Sequence, residues 1–175
     1  MTQVGTGSSA VINQDTSVKT VRPCLTFKEG TEEAINFYVS LIRNSRVVNL
    51  LRSDGNGPLP KGSVLHATFQ LDGQEYTAFD GGPSFAFTEA FSFVATCESQ
   101  AEIDSTWARL SEGGEEGPCG WLKDRFGVSW QVVPASLGKM MQDSKSGNPG
   151  KVMEALLKMR KLDIAKLEQA YRSGS

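Results

Sequence analysis

The stretch that decides the fold is GWLKDRFGVSWQVVP, Gly120 to Pro134, which holds two of the chain's three tryptophans. Trp121-Leu122-Lys123 reads as the tail of a strand. Asp124-Arg125-Phe126-Gly127 then reads as a tight turn, because an aspartate side chain bonds its own backbone two residues on and glycine supplies a positive φ. From Val128 the residues alternate: Val128, Trp130 and Val132 against Ser129, Gln131 and Val133. That period of two, bounded by Gly127 and Pro134, predicts a strand with one apolar face and one face carrying a polar group. Gln131 then looks either into a site or into solvent.

Working back from this strand, the same pattern of elements occurs twice. Val18 to Phe27 reads as a first strand, with Pro23 marking an edge position or a bulge. Thr31 is the predicted N-cap of a helix whose apolar stripe is Ala34, Phe37, Tyr38 and Leu41. Strands follow at Val47 to Leu51, Ser63 to Leu71 and Gln74 to Asp80, the last two joined by the hairpin pair Asp72-Gly73. Ala90 to Cys97 begins the second copy. Ser99 caps its helix, Ile103, Trp107 and Leu110 form the buried stripe, and Gly113-Gly114 ends it. One strand is expected within Glu116 to Lys123 and one at Val128 to Val133, so the second copy reads as compact. A repeat of about 65–70 residues fixes the architecture before any motif does.

The flanks differ. Met1 to Ser17 is rich in Gly, Ser, Thr, Gln and Asn and has no basic-then-apolar leader, so it reads as an unstructured tail. Pro134 to Met141 suggests a short helix, Gln142 to Gly150 a polar linker, and Lys151 to Tyr171 a helix with an apolar stripe. That last helix packs either on its own domain or on a partner subunit.

Composition narrows the function classes. The chain has 175 residues, a 39% hydrophobic and 22% charged composition, and a net charge of −2, which suits a soluble globular protein. No long run of one charge sign marks a nucleic-acid surface, and no apolar run reaches a membrane-span length. The three cysteines, Cys24, Cys97 and Cys119, are odd in number and form no CxxC. They read as reduced, inert thiols of a cytoplasmic protein, Cys24 as a buried one among apolar neighbours.

The two β-α-β-β-β units, Asn36-Phe37-Tyr38 in the first helix, and the Asp124-x-x-Gly127-x-x-Trp130-Gln131 turn and strand resemble the vicinal oxygen chelate superfamily. That is the glyoxalase, bleomycin-resistance and extradiol-dioxygenase fold. Pro23-Cys24-Leu25-Thr26-Phe27, Phe79-Asp80-Gly81-Gly82-Pro83, Gly113-Gly114-Glu115-Glu116 and Cys119-Gly120-Trp121-Leu122-Lys123-Asp124 point within it to the PhnB-like branch. Members of that branch often carry the label demethylubiquinone 3-methyltransferase. The resemblance implies an α+β fold with two half-barrel modules, residues 18–83 and 84–134, around a cleft, followed by C-terminal helices in 135–175. It also implies a homodimer, with the modules paired either within one chain or between subunits.

Metal-using members of the superfamily place His or Glu ligands on the first and last strands of each module. Carried onto this chain, those positions fall at about Pro23, within Glu75 to Thr77, at about Ser92 and at Gln131. Proline has no donor side chain, and serine and glutamine are poor donors beside the groups that divalent metals select. The expectation is therefore a small-molecule ligand in a cleft with no metal and no cofactor. A divalent-metal lyase or dioxygenase of the same fold, with His66 and Glu75 as ligands, is the alternative. The methyltransferase label lacks the doubly wound domain and glycine-rich first turn that an S-adenosylmethionine enzyme normally uses.

The pocket candidates are Gln131, Ser92, His66 and Glu75 for polarity, and Phe79, Trp121 and Trp130 from an aromatic set that is mostly core. His66, the only histidine, reads as a pocket base or as a surface residue. Asp80 and Glu89 flank the module junction, either reaching the cleft or solvated. Glu115 and Glu116, adjacent on a strand, point to opposite faces.

Overall fold

The computed structural model describes residues 18–173, and the tail expected at Met1 to Ser17 lies outside them. The elements run β1 (Cys24–Phe27), α1 (Thr31–Leu41), β2 (Arg46–Arg52), β3 (Val64–Leu71) and β4 (Gln74–Asp80) in the first module. The second holds β5 (Ser92–Cys97), α2 (Gln100–Ser111), β6 (Glu115–Glu116), β7 (Trp121–Lys123) and β8 (Ser129–Pro134), and α3 (Leu137–Gln142), α4 (Pro149–Leu156) and α5 (Ile164–Arg172) follow. Each module is a four-stranded sheet of the same topology, β1-β4-β3-β2 and β5-β8-β7-β6. First and last strands of a module pair parallel and the others antiparallel. The second copy is thus complete, with two strands where one was expected between Glu115 and Lys123. β6 has only two residues, too short for a period to show.

One face of each sheet is covered by its own helix. Leu25, Phe27, Ala67, Phe69, Tyr76 and Ala78 in the first module, and Leu122, Trp130 and Val132 in the second, join the helix stripes in one core. Asp72 and Gly73 both take positive φ in the two-residue β3–β4 turn, the conformation a right-twisted hairpin needs.

The modules are joined at their covered faces by the turn of the opening stretch. Asp124 is buried. Its carboxylate accepts from the Tyr38 hydroxyl at 2.7 Å, Trp130 Nε1 at 2.8 Å, Phe126 N at 2.9 Å and Val128 N at 3.0 Å. The Tyr38 ring packs on Phe93, Phe126 and Trp130. Arg125 lies over the Phe37 and Phe126 rings and reaches Glu33. An Asp that a sequence pattern marks only as a turn former is therefore also the polar centre of the module junction.

Several local expectations change. Thr31 does not cap α1; Gly30, with φ 79°, is the N-cap, and Thr31 N donates to Asp80 Oδ1. Asp80 also accepts from Val64 N at 2.7 Å. It is a buried clamp on α1 and β3, neither solvated nor directed into a cleft. The first strand is four residues long and does not extend back to Val18. Lys151 to Tyr171 is two helices with a break at residues 157–163.

That break docks the tail on its own module. Gln100, at the start of α2, donates to Leu162 O at 3.1 Å and accepts from Ile164 N at 2.9 Å. Cys119 N and Gly120 N bond Met159 O and Arg160 O. Met140, Val152, Leu162 and Leu167 form a second small core against Val133.

Candidate functional site

The faces opposite the helices are open, and strand parity decides what they carry. On the second sheet the register aligns Glu115, Lys123, Ser129 and Ser92 in one row across four strands. The next row is Trp121, Gln131 and Val94. Gln131 Nε2 donates to Ser92 Oγ at 2.9 Å, linking the two rows. Val133, one step further along β8, packs against the C-terminal helices. At the other end the module linker crosses the sheet: Glu89 reaches Lys123 Nζ at 2.6 Å, although β7 is separated from β5 by β8. Hydrogen bonding and charge from Glu89 hold the Lys123 ammonium above its ordinary pKa, with Glu115 adding to the effect, and Lys123 holds Glu89 below the usual carboxylate range.

This face combines an aromatic ring, an amide, a serine hydroxyl and an ammonium, bounded by the linker and the tail. Gln131 and Trp121, expected at the site, lie next to each other on it, half-buried. Trp130 does not. It is 1% exposed, with its ring against Phe93 and its N–H on Asp124, so it belongs to the core. Parity within the opening stretch already separates Trp130 from Gln131. Lys123 was missed as a site residue, although it stands two positions from Trp121 and so shares its face.

The open face of the first sheet holds the other candidates. Phe79, Thr77 and Glu75 alternate along β4, half-buried. His66 is exposed on β3, opposite Leu51 of β2. It faces solvent from the same side of the sheet. Cys24, expected to be buried, is exposed there too, because strand alternation sends Leu25 and Phe27 inward. Pro23 is in step with Leu25, so the residue matching Ser92 on the open side is Arg22. Its guanidinium forms an ion pair with Glu75.

These residues do not suit a metal of the kind other members of the superfamily bind. At the expected positions stand an Arg22–Glu75 ion pair and a Ser92–Gln131 hydrogen bond, so the donors are weak or already engaged. Among the described residues no group of three His, Cys, Asp or Glu side chains converges. Glu116 accepts from Trp107 Nε1 at 2.8 Å on the covered side, apart from Glu115 on the open one.

Comparison with known proteins places this geometry. Residues 19–133 match the family model described as 3-demethylubiquinone-9 3-methyltransferase. Among solved structures, the PhnB protein of Bacillus cereus is 40% identical over 67% of this chain and 100% of its own, with a TM-score of 0.62. A Pseudomonas aeruginosa protein is 25% identical over 65% of this chain and 96% of its own, with a TM-score of 0.54. The fosfomycin resistance protein FosX of Listeria monocytogenes shares the fold at 13% identity, a TM-score of 0.52, and 71% and 97% coverage. No curated protein sequence matches the chain. The family model covers well over half of the chain and the B. cereus protein aligns over its whole length, so the chain belongs to the PhnB-like family described as 3-demethylubiquinone-9 3-methyltransferase, within the vicinal oxygen chelate superfamily.

Proposed function

We propose that the chain binds a small organic molecule on the open face of its second sheet, without a metal. The Gln131–Ser92 pair beside Trp121 carries this reading. Gln131 can turn its amide from Ser92 to a ligand and can both donate and accept there, while Trp121 offers an aromatic surface to a flat ring. The metal-dependent alternative is the weaker one on the donor chemistry above. Methyl transfer, named in the family's description, is also weaker. Each sheet here has four strands with a single parallel pair, whereas an adenosyl donor normally sits on a doubly wound parallel sheet.

Thermal melts against a panel of flat aromatic and quinone-type compounds test this. A ligand at about 100 times its Kd contributes about 2.7 kcal/mol, which for a chain of this size raises Tm by about 5–10 °C. The shift is expected to vanish in Gln131→Leu. A panel that moves neither protein, or moves both alike, would count against the site.

A second copy of the chain is the proposed cover for the open faces. Leu51 on the first and Val94 on the second are 55% and 58% exposed, and paired half-barrels would enclose a ligand between them. Sedimentation equilibrium is expected to give twice the 19.0 kDa chain mass; a monomer at micromolar concentration would remove the second copy from the proposal.

A further inference from the structure

We infer that the ligand is an anion: a flat aromatic or conjugated acid whose carboxylate or phenolate oxygen takes the place of Glu89 on Lys123. This rests on the second-sheet face being the binding site, and adds the ligand's charge and length to it. Lys123 is the one basic side chain of the two rows, and it stands at the end where the module linker crosses. Its partner Glu89 lies on that linker, outside any helix or strand, and is 68% exposed. An exposed carboxylate on an irregular segment is displaced at little cost, since such ion pairs contribute little in water. The ammonium it leaves is half-shielded, with Ser129 beside it on β8 and Glu115 on β6 in the same row. Glu115, paired directly with Lys123 on the neighbouring strand, repels a second negative charge, which favours a monoanion.

The distance between rows sets the size. Trp121 and Lys123 are two residues apart on one strand, a spacing of about 7 Å. A ring lying over Trp121 and Gln131 therefore carries its acid group about one further ring away. Gln131 then donates its amide N–H to an oxygen of the same ligand, or accepts a hydroxyl proton from it.

The matched probes are 2-naphthoate and 2-naphthamide, equal in shape and different in charge, followed by amide and indole NMR shifts on the full chain. Both are expected to move the Trp121 indole and Gln131 side-chain signals, with naphthoate the tighter by about fivefold, the upper range for a half-exposed charge pair. Lys123→Met is expected to abolish that preference. Glu89→Gln, which frees the ammonium without touching it, is expected to tighten naphthoate and leave naphthamide unchanged. Equal affinity for the two probes, or a preference that survives Lys123→Met, would overturn the anion assignment and leave the binding face standing. Shifts from neither probe at Trp121 and Gln131 would overturn both.

Discussion

Replacing Asp124 with alanine is expected to destabilise the fold by about 3–5 kcal/mol, because the substitution strands several buried donors at once. The Tyr38 hydroxyl, Trp130 Nε1 and the Val128 and Phe126 amides all point at this carboxylate within 3.0 Å. Tyr38 and Trp130 are almost fully buried, so water replaces the lost acceptor poorly. Against a typical total stability of about 5–15 kcal/mol, this loss removes a large share. Asp124→Asn separates the contributions. One amide oxygen still serves the two backbone N–H groups, and the Tyr38 hydroxyl can reverse to accept. The indole of Trp130 can only donate, so it meets the new amide nitrogen unfavourably. Asn is therefore expected to cost less than Ala but still about 1–3 kcal/mol. Urea unfolding measures both, and an alanine variant within 1 kcal/mol of the parent would refute the role.

The same junction sets an alkaline limit. Burial, then the charge and hydrogen bond of Asp124, push the Tyr38 pKa well above its ordinary value of 10.0. The folded state therefore holds the phenolic proton more tightly than the unfolded chain does. This contribution is fully present below pH 10 and is lost as pH rises from there toward the folded-state value. The fall in stability between pH 9 and pH 11 is accordingly expected to be shallower in Tyr38→Phe. It does not disappear, because Tyr76 and Tyr171 are shifted in the same direction.

The module repeat was legible because each buried stripe repeats at its own period, as in Ala34 and Tyr38 on α1 or Trp130 and Val132 on β8. Turn chemistry did the rest at Asp72-Gly73 and Asp124 to Gly127. The two sheets, their helices and the Gln131 face could be read from local pattern. What local pattern does not encode is pairing across long separations. The Tyr38–Asp124 hydrogen bond spans 86 residues, and Thr31 N reaches Asp80 across 49, so both carboxylates read from sequence as turn or loop residues. Cap assignment failed for the same reason: Gly30 takes the cap position, and the amide of Thr31 donates to Asp80 on a distant strand. Trp130 was misplaced for a different one. Aromatic content counts how many rings need burial, and only parity against Gln131 shows which ring it is. Cys24 was read from its apolar neighbours although it stands out of step with them.

Gly120→Val is the second large expected loss, about 3 kcal/mol or more, and it tests how the opening stretch meets the tail. Gly120 has φ 82°, a region where a β-branched side chain is a strong outlier, with a strain cost of about 1–3 kcal/mol. Space is closed as well. A Cβ there would lie 2.8 Å from Val132 O and 3.1 Å from the Leu162 side chain. The backbone has little room to yield, since Gly120 N donates to Arg160 O at 2.7 Å and Gly120 O accepts from Val132 N at 2.8 Å. Relieving the overlap therefore means giving up either the β8 contact or the docking of residues 157–163. Because the tail's small core is the lesser of the two clusters, it is expected to yield first. Limited proteolysis should then cut Gly120→Val within residues 142–163 under conditions that leave the parent intact, while the Asp124 junction keeps the two modules folded. A variant equal to the parent in both urea midpoint and protease resistance would mean that the tail tolerates a side chain at this turn, and that its docking does not depend on glycine there.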